Sequence, residues 1–247
     1  SFRADLSGLA GGAATVFASG YLAGAPAFGL FAALPNGTVV ALPLTPTARV
    51  QIIHNSPDPT VDVYVGATRL LDDFVFRTAT PFIDVPADRD LNIGIALPNS
   101  TQASDAIANF PVNLATGEKY VVMAAGVVGN TGPTAFSLFI NGDAREAANT
   151  SGNVDVAVFH GAPDAPAVDV DAVFVANNVV DNLSFGEFTP YLELPAAKYD
   201  LAVQAAGSNT TVASFRADLS GLADGAATVF ASGYLSGTPA FGLFAAL

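Results

Sequence analysis

A motif that occurs twice sets the organisation of this chain. It consists of a histidine, two small residues, Pro-Asp, a second proline and then Val-Asp-Val. Its two histidines, His54 and His160, are the only ones in the sequence and lie 106 residues apart. Spacing of this kind marks a repeated structural unit of about that length. The motif residues are His54, Pro57, Asp58 and Asp62 in the first copy, and His160, Pro163, Asp164 and Asp169 in the second.

A longer repeat overlies the motif. Residues 1–34 recur as residues 214–247 with three differences, and the offset of 213 residues is about twice the spacing of the histidines. We therefore expect units of about 106 residues that alternate between two types, A and B, in a tandem array. Near-identity over such a stretch indicates a recent duplication.

The two repeats together predict the domain boundaries. A full A-type unit, called unit A, is expected at 48–141, and a full B-type unit, called unit B, at 154–247. Residues 1–40 then form the second half of a B-type unit, called the half unit. We expect a stiff, proline-rich linker at 42–47 and a polar, more flexible linker at 142–153.

The local patterns predict strands. Val61, Val63 and Val65 alternate with polar residues, which predicts buried valines and an Asp62 that faces a loop or solvent. Turn residues recur every few positions, so the fold class we predict is all-β, with tandem antiparallel β-sandwiches of immunoglobulin-like or transthyretin-like plan. Further short strands are predicted at 49–54, 82–85, 91–97, 107–114 and 119–127.

Composition excludes several classes of protein. The formal net charge of −13 argues against binding to nucleic acid or to anionic membrane surfaces. The absence of cysteine excludes disulfides and thiolate chemistry. No apolar run is long enough for a membrane span, and residues 1–5 have the character of domain sequence rather than of a signal peptide.

The motif, together with Leu183-Ser184-Phe185-Gly186 and the run from Pro190 to Leu201, resembles the domain-of-unknown-function family numbered 4397. That family occurs in secreted and surface proteins of bacteria and archaea. The resemblance implies a β-sandwich and an extracellular or cell-surface location, and it brings no established activity. Unit A departs from the family at Asp88-Arg89-Asp90 and at Phe74-Val75-Phe76-Arg77, where the family has Leu-x-Phe-Gly.

The motif has two chemical interpretations. Imidazole beside carboxylates can ligate a metal or transfer protons. Alternatively, each histidine hydrogen-bonds nearby backbone and fixes the first corner of its sandwich, which is the interpretation we favour because each unit has one histidine and no second nitrogen or sulfur ligand. No cofactor is predicted, and calcium at the Asp-rich loops stays a minor alternative because no EF-hand pattern is present.

No catalytic motif is present, so we do not predict an enzyme. The pair Asp72-Asp73 has the residue types of a glycosidase pair, but a solvated turn explains it as well. Asn-x-Ser/Thr sequences predict candidate glycan acceptors. They lie at Asn36, Asn99, Asn149, Asn182 and Asn209.

Two functional hypotheses remain. The first is a structural module of an extracellular filament, fibre or surface layer, in which copies of the chain join head-to-tail and strands from elsewhere complete the half unit. The missing strands would come from upstream sequence or from another chain. The second is a cell-surface adhesin that binds carbohydrate or protein. Its expected contacts are exposed tyrosines at Tyr21, Tyr64, Tyr191 and Tyr234.

Overall fold

The computed structural model describes residue 2 and residues 12–247, and the described chain is built from β-strands. The part of the predicted half unit at residues 1 and 3–11 lies outside the described residues. Short 3-10 turns occur at Ala103–Asp105 and Gly132–Thr134. No helix long and apolar enough to cross a membrane is found in the described part of the chain. The predicted all-β, sandwich-like fold is confirmed.

Unit A is a sandwich of two sheets. One sheet has the strand order β10-β9-β5-β6, and the other has the order β12-β11-β4-β7, with β8 also paired to β4. Val50, Ile52 and Leu91 are among the buried side chains that fill the space between the sheets. The strands are β4 Thr47–Asn55, β5 Val61–Val65, β6 Thr68–Phe74, β7 Thr78–Ala79, β8 Ile83–Pro86, β9 Asp90–Ala96, β10 Ala106–Asn113, β11 Lys119–Ala125 and β12 Ser137–Asn141.

Unit B repeats this plan with the sheets β16-β13-β19-β20 and β15-β14-β17-β18. Its core is formed by side chains such as Val154, Val156, Val170 and Val203. The strands are β13 Asn153–His160, β14 Val168–Ala172, β15 Ala176–Leu183, β16 Leu192–Pro195, β17 Lys198–Ala205, β18 Thr211–Asp218, β19 Ala226–Ser232 and β20 Gly242–Ala246.

One ladder in each unit is parallel. The strand that leads into the motif histidine pairs in parallel with the penultimate strand of the unit, β4 with β11 and β13 with β19. The remaining ladders of the two units are antiparallel. The motif therefore lies where its strand leaves the mixed sheet.

The half unit forms a separate sheet of three antiparallel strands, in the order β1-β2-β3. The strands are β1 Thr15–Ser19, β2 Gly29–Ala33 and β3 Val39–Leu42. β3 was not predicted, although Asn36-Gly37 between apolar runs is a strong hairpin signal. The residues expected to begin the stiff linker thus belong in part to a strand.

The two full units pack against each other through their mixed sheets. Ile53 and Met123 of unit A lie in one buried cluster with Phe159 and Phe230 of unit B. Alternation along each strand explains this, because Val50 and Ile52 face the core of unit A while Ile53 points the opposite way. The cluster also contains Val121, Ala125, Ala144 and Ala246, with Phe82, Phe139, Phe188 and Phe244 packed at its border.

The linker 142–153 is held in place, contrary to the flexibility we expected from its polar sequence. Ala144 is buried in the cluster between the units. The Arg145 guanidinium lies 2.6 Å from a carboxylate oxygen of Asp155, and the Arg145 amide donates to the Tyr191 hydroxyl at 3.0 Å. Polar residues here make specific hydrogen bonds, which composition alone does not distinguish from solvation.

Candidate functional site

The motif histidines are buried and hydrogen-bond the backbone of the turns that follow them. Both rings are buried, and each has its Nε2 3.0 Å from a backbone carbonyl, that of Pro59 for His54 and that of Pro166 for His160. Burial lowers the pKa of both imidazoles, and the hydrogen bonds to Pro59 and Pro166 oppose this only in part. A neutral ring that donates through Nε2 satisfies this geometry and fixes the turn that follows each strand.

The motif aspartates Asp62 and Asp169 also accept hydrogen bonds from backbone amides. Asp62 accepts from the Asp73 amide at 2.9 Å and the Ser100 hydroxyl at 2.5 Å, and Asp169 accepts from the Asn182 amide at 2.7 Å. Val61 and Val63 are buried as predicted, but Asp62 is 0% exposed and Asp169 only 6%. We expected these carboxylates to face a loop or solvent, and solvent contact was wrong, because the amides of Asp73 in β6 and Asn182 in β15 replace water as their partners.

The Pro-Asp steps lie in the turns after the histidine strands, and their two carboxylates differ. Pro57 and Asp58 are in a bend, with Asp58 exposed. Pro163 and Asp164 are in a turn, where Asp164 accepts from the amides of Leu235 and Ser236 at 2.7 and 2.9 Å. In unit B the motif thus joins the first turn to the loop between β19 and β20.

A group of carboxylates in unit A has the composition of a cation site. Asp62, Asp72 and Asp73 each place an oxygen within 4.8 Å of the others. Both oxygens of Asp62 already accept hydrogen bonds, and Arg69 lies 3.4 Å away. Burial raises the pKa of Asp62, but hydrogen bonds from Ser100, the Asp73 amide and Arg69 outweigh it and lower the net value. The geometry is that of a stable internal anion, and calcium stays an untested prediction.

The candidate glycan acceptors and the candidate adhesin tyrosines differ in their exposure. The asparagines of all five Asn-x-Ser/Thr sequences are exposed. Among the tyrosines expected to be exposed, Tyr21 is 63% exposed but Tyr64 is buried and hydrogen-bonds Ser100 at 2.8 Å. Tyr191 and Tyr234 are half-buried. The exposed aromatic surface expected for an adhesin is therefore smaller than the sequence suggested.

The motif histidines position a further turn that the sequence analysis did not identify as functional. The carbonyl of His54 accepts from the Arg77 amide at 2.7 Å, and the carbonyl of His160 accepts from the Gly186 amide at 2.8 Å. Both turn residues have positive φ, 64° for Arg77 and 87° for Gly186. Glycine is the ordinary residue for such a backbone, so the arginine in unit A replaces it against the local preference.

Arg77 extends from this turn into the interface with unit B. Its Nη2 donates to the Ala240 carbonyl at 2.7 Å, and its Nε donates to the Ser232 hydroxyl at 3.0 Å. The guanidinium carbon lies 4.2 Å from the centre of the Phe244 ring. Backbone carbonyls at the edge and a ring face below form a receptor that suits a planar guanidinium.

The equivalent position in unit B is Gly186, which makes the equivalent contact with unit A. A side chain at Gly186 would collide with the ring of Phe139 in unit A, which corresponds to Phe244 in unit B. The interface is therefore approximately two-fold, with the same two positions in contact on both sides. Arg77 lies against Phe244 on one side, and Gly186 lies against Phe139 on the other, so the two sides of the interface differ.

Further polar contacts fix the alignment of the two units. The Asn55 amide nitrogen donates to the Ala231 carbonyl at 3.0 Å, across a gap that is open because residue 161 is glycine. Arg49 forms a bidentate pair with Glu146 at 2.8 and 3.1 Å. The hydrogen bond from Arg49 lowers the pKa of Glu146. Unit A is therefore tied to unit B through Asn55 and to the linker through Arg49.

The half unit exposes the surface that unit B buries. Phe17 is 39% exposed, whereas its counterpart Phe230 is 2% exposed. The sheets have the same internal geometry, because the rings of Phe17 and Phe31 lie 5.8 Å apart and those of Phe230 and Phe244 lie 6.0 Å apart. Among the described residues, β1 has β2 as its only neighbour, while β19 has both β20 and β13. The difference in exposure therefore arises from missing neighbours.

Comparison with known proteins places the two motifs in one family. The family described as Domain of unknown function (DUF4397) matches residues 48–171 and 154–245. No curated protein matches the chain. The departure from Leu-x-Phe-Gly at Arg77 was the sequence signal that could have identified the interface residue.

Proposed function

Because the chain belongs to the DUF4397 family, whose description assigns no activity, we propose from its structure that it is a structural repeat module of an extracellular filament, fibre or surface layer. Neighbouring modules, which are copies of the same A and B pair, join head-to-tail through β-strand pairing at β1. One observation carries this proposal: nearly the same sequence is buried in unit B and exposed in the half unit.

The physical argument starts from the open edge of β1. An unpaired strand edge beside exposed apolar side chains recruits further strands, and proteins normally cover or charge such an edge. β1 contains no charged residue, and all five of its residues are exposed. In unit B the same sequence pairs with β13, whose two edges are occupied by β16 and β19. The partner of β1 is therefore a further strand like β13, supplied by upstream sequence or by another chain.

Head-to-tail pairing of this kind propagates. The accepting edge is in the half unit and the donated strand is of the kind found in the first half of unit B, so the two surfaces are different. A contact between different surfaces that does not close into a ring produces a filament. Each junction between modules is then one whole sandwich, and the A and B interface repeats along the fibre.

A lengthened chain tests the pairing at β1. Residues 153–213 are placed ahead of residue 1, and the joint resembles the natural sequence at 213–214 because residues 1–34 repeat residues 214–247. We expect the amides of β1 in the lengthened chain to exchange with deuterium as slowly as those of β19. In the original chain, diluted until it is monomeric, they should exchange fast.

A matched variant keeps this test specific. Val16→Lys in the lengthened chain places a charge in the new core and should return the β1 amides to fast exchange, whereas Val128→Lys, at a similarly exposed valine in a loop, should not. Equal exchange of β1 in the original and lengthened chains would refute strand pairing at this edge.

A second candidate, the adhesin, is favoured by one exposed tip. The hairpin between β14 and β15 carries Phe174 at 103% exposure and Val175 at 67%. A fully exposed aromatic residue at a loop tip is typical of a contact for carbohydrate or protein. Under this alternative, a ligand on the cell surface would protect Phe174 from oxidation, and Phe174 left equally reactive with and without that surface would refute it.

A further inference from the structure

The exposed face of the half unit is distinct from its open edge. The side chains of Phe17 and Ser19 on β1 and Phe31 on β2 point to the same side of the sheet, because Phe17 and Phe31 are direct cross-strand partners. Their counterparts in unit B are Phe230, Ser232 and Phe244, which pack against unit A. Strand pairing at β1 would complete the sheet and leave this face open.

The face contains a formed receptor for an arginine side chain. Arg77 binds in unit B to the hydroxyl and carbonyl of Ser232, the carbonyl of Ala240 and the ring of Phe244. Ser19, Ala27 and Phe31 occupy the same positions in the half unit.

The backbone that holds this receptor is the same in both places. The Tyr21 amide donates to Pro26 at 2.9 Å, as the Tyr234 amide does to Pro239. Gly20 and Gly233 both have positive φ, 92° and 82°. The half unit therefore presents carbonyls and a ring in the arrangement that binds a guanidinium, with no guanidinium bound among the described residues.

We propose that this face docks a further A-type unit, a β-sandwich like residues 48–141, that carries an arginine at the place of Arg77. The inference deepens the proposed function and rests on it, because the A-type unit belongs to the module that precedes the half unit. We infer this partner because unit A covers the equivalent side chains, Phe230, Ser232 and Phe244, in unit B.

A second B-type face is a poorer occupant. B-type units have glycine where unit A has Arg77, so two B-type faces together would leave the carbonyls of Ser19 and Ala27 without their donor. Unit A of a second copy is also unsuitable, because its own unit B already covers its face. The chemistry thus selects a separate A-type unit.

Two lengthened chains separate docking from strand pairing. One carries residues 153–213 ahead of residue 1, which supplies the missing strands, and the other carries residues 48–213, which supplies the strands together with an A-type unit. Oxidation by hydroxyl radicals is then measured on the rings of Phe17 and Phe31. Trypsin releases them in one peptide, residues 4–49, which differs from the peptide 217–247 of unit B.

The docking model predicts a stepwise result. Phe17 and Phe31 should stay reactive in the original chain and in the chain with 153–213. With 48–213 added, the oxidation of Phe17 should fall to the level of Phe230, in line with their exposures of 39% and 2%. Arg77→Gly in the added unit alone should restore much of the oxidation, and the substitution is free of backbone strain because φ there is positive. Arg89→Ala in the added unit, an exposed arginine away from the interface, should change nothing.

Three outcomes would overturn the inference. The rings could react equally in both lengthened chains, Arg77→Gly could leave the protection intact, or the original chain could already protect them by association of two copies through this face. Slow exchange of the β1 amides in both lengthened chains, with reactive rings in both, would refute docking and leave strand pairing standing. Fast exchange at β1 would refute the proposed function itself.

Discussion

At the scale of single residues, the histidine of the motif acts through its backbone as well as its ring. The ring of His54 fixes the turn at Pro59, and its carbonyl holds the turn that carries Arg77. The same arrangement in unit B holds Gly186. One scaffold therefore presents two different residues to the partner unit, arginine in unit A and glycine in unit B.

The buried imidazoles predict a dependence of stability on pH. Burial lowers the pKa of His54 and His160 below the ordinary value of 6.5. The unfolded chain then takes up protons that the folded chain does not, so stability is complete above about pH 6.5 and falls as the pH drops below it. The free energy of unfolding, measured in urea between about pH 7 and pH 5, should fall by up to about 1.4 kcal/mol per pH unit for each histidine.

A glutamine variant provides the control for this prediction. His54→Gln keeps a side-chain N–H near the Pro59 carbonyl but does not titrate, so it should roughly halve the slope. A free energy of unfolding that stays constant over this pH range would contradict the account, since carboxylates titrate mainly at lower pH.

Alternation along the sequence predicted the burial of Val61 and Val63, because the face of the sheet to which a side chain points depends only on its position in the strand. The burial of Asp62 was not predictable, because its partners Asp73 and Ser100 lie 11 and 38 residues further along the chain. The role of Arg77 depends on contacts with residues more than 150 positions away. Such contacts are properties of the folded pair of units.

At the scale of elements, strands were predictable and their neighbours were not. The predicted strand at 107–114 matches Ala106–Asn113, because turn residues bound it on both sides. The parallel ladder between β4 and β11 has no local signature, since it joins strands from opposite ends of unit A. The hydrogen bonds of the linker were not predicted, because their partners Asp155 and Tyr191 are not evident from the sequence around Arg145.

The linker contact predicts a specific loss of stability. Asp155 is 0% exposed, and Arg145→Ala would leave its carboxylate in the interior with the Asn149 amide as the remaining partner for Oδ2. We expect the free energy of unfolding to fall by roughly 1–3 kcal/mol, less than for a fully buried pair because Arg145 is partly exposed. Arg216→Ala removes a surface pair with Asp200 and should have little effect. Equal losses in the two variants would show that the linker contact does not stabilise the fold.

At the scale of the whole molecule, a paired A and B module follows a three-stranded sheet whose sequence repeats the end of unit B. The 213-residue repeat indicates that A-type and B-type units alternate in the sequence, and the interface shows that one unit of each type packs against the other. Under the proposed function, the two sandwiches with unlike faces and the open edge of the half unit form one repeated junction that does not close.

The most direct test of the central claim is electron cryomicroscopy of the native material at a resolution that traces the chain. We predict filaments or a lattice in which strands of a neighbouring module, equivalent to β13, lie parallel to β1 and complete a sandwich around the half unit. Native material in which β1 has solvent at its outer edge, with no strand of a neighbouring module within hydrogen-bonding distance, would contradict the account.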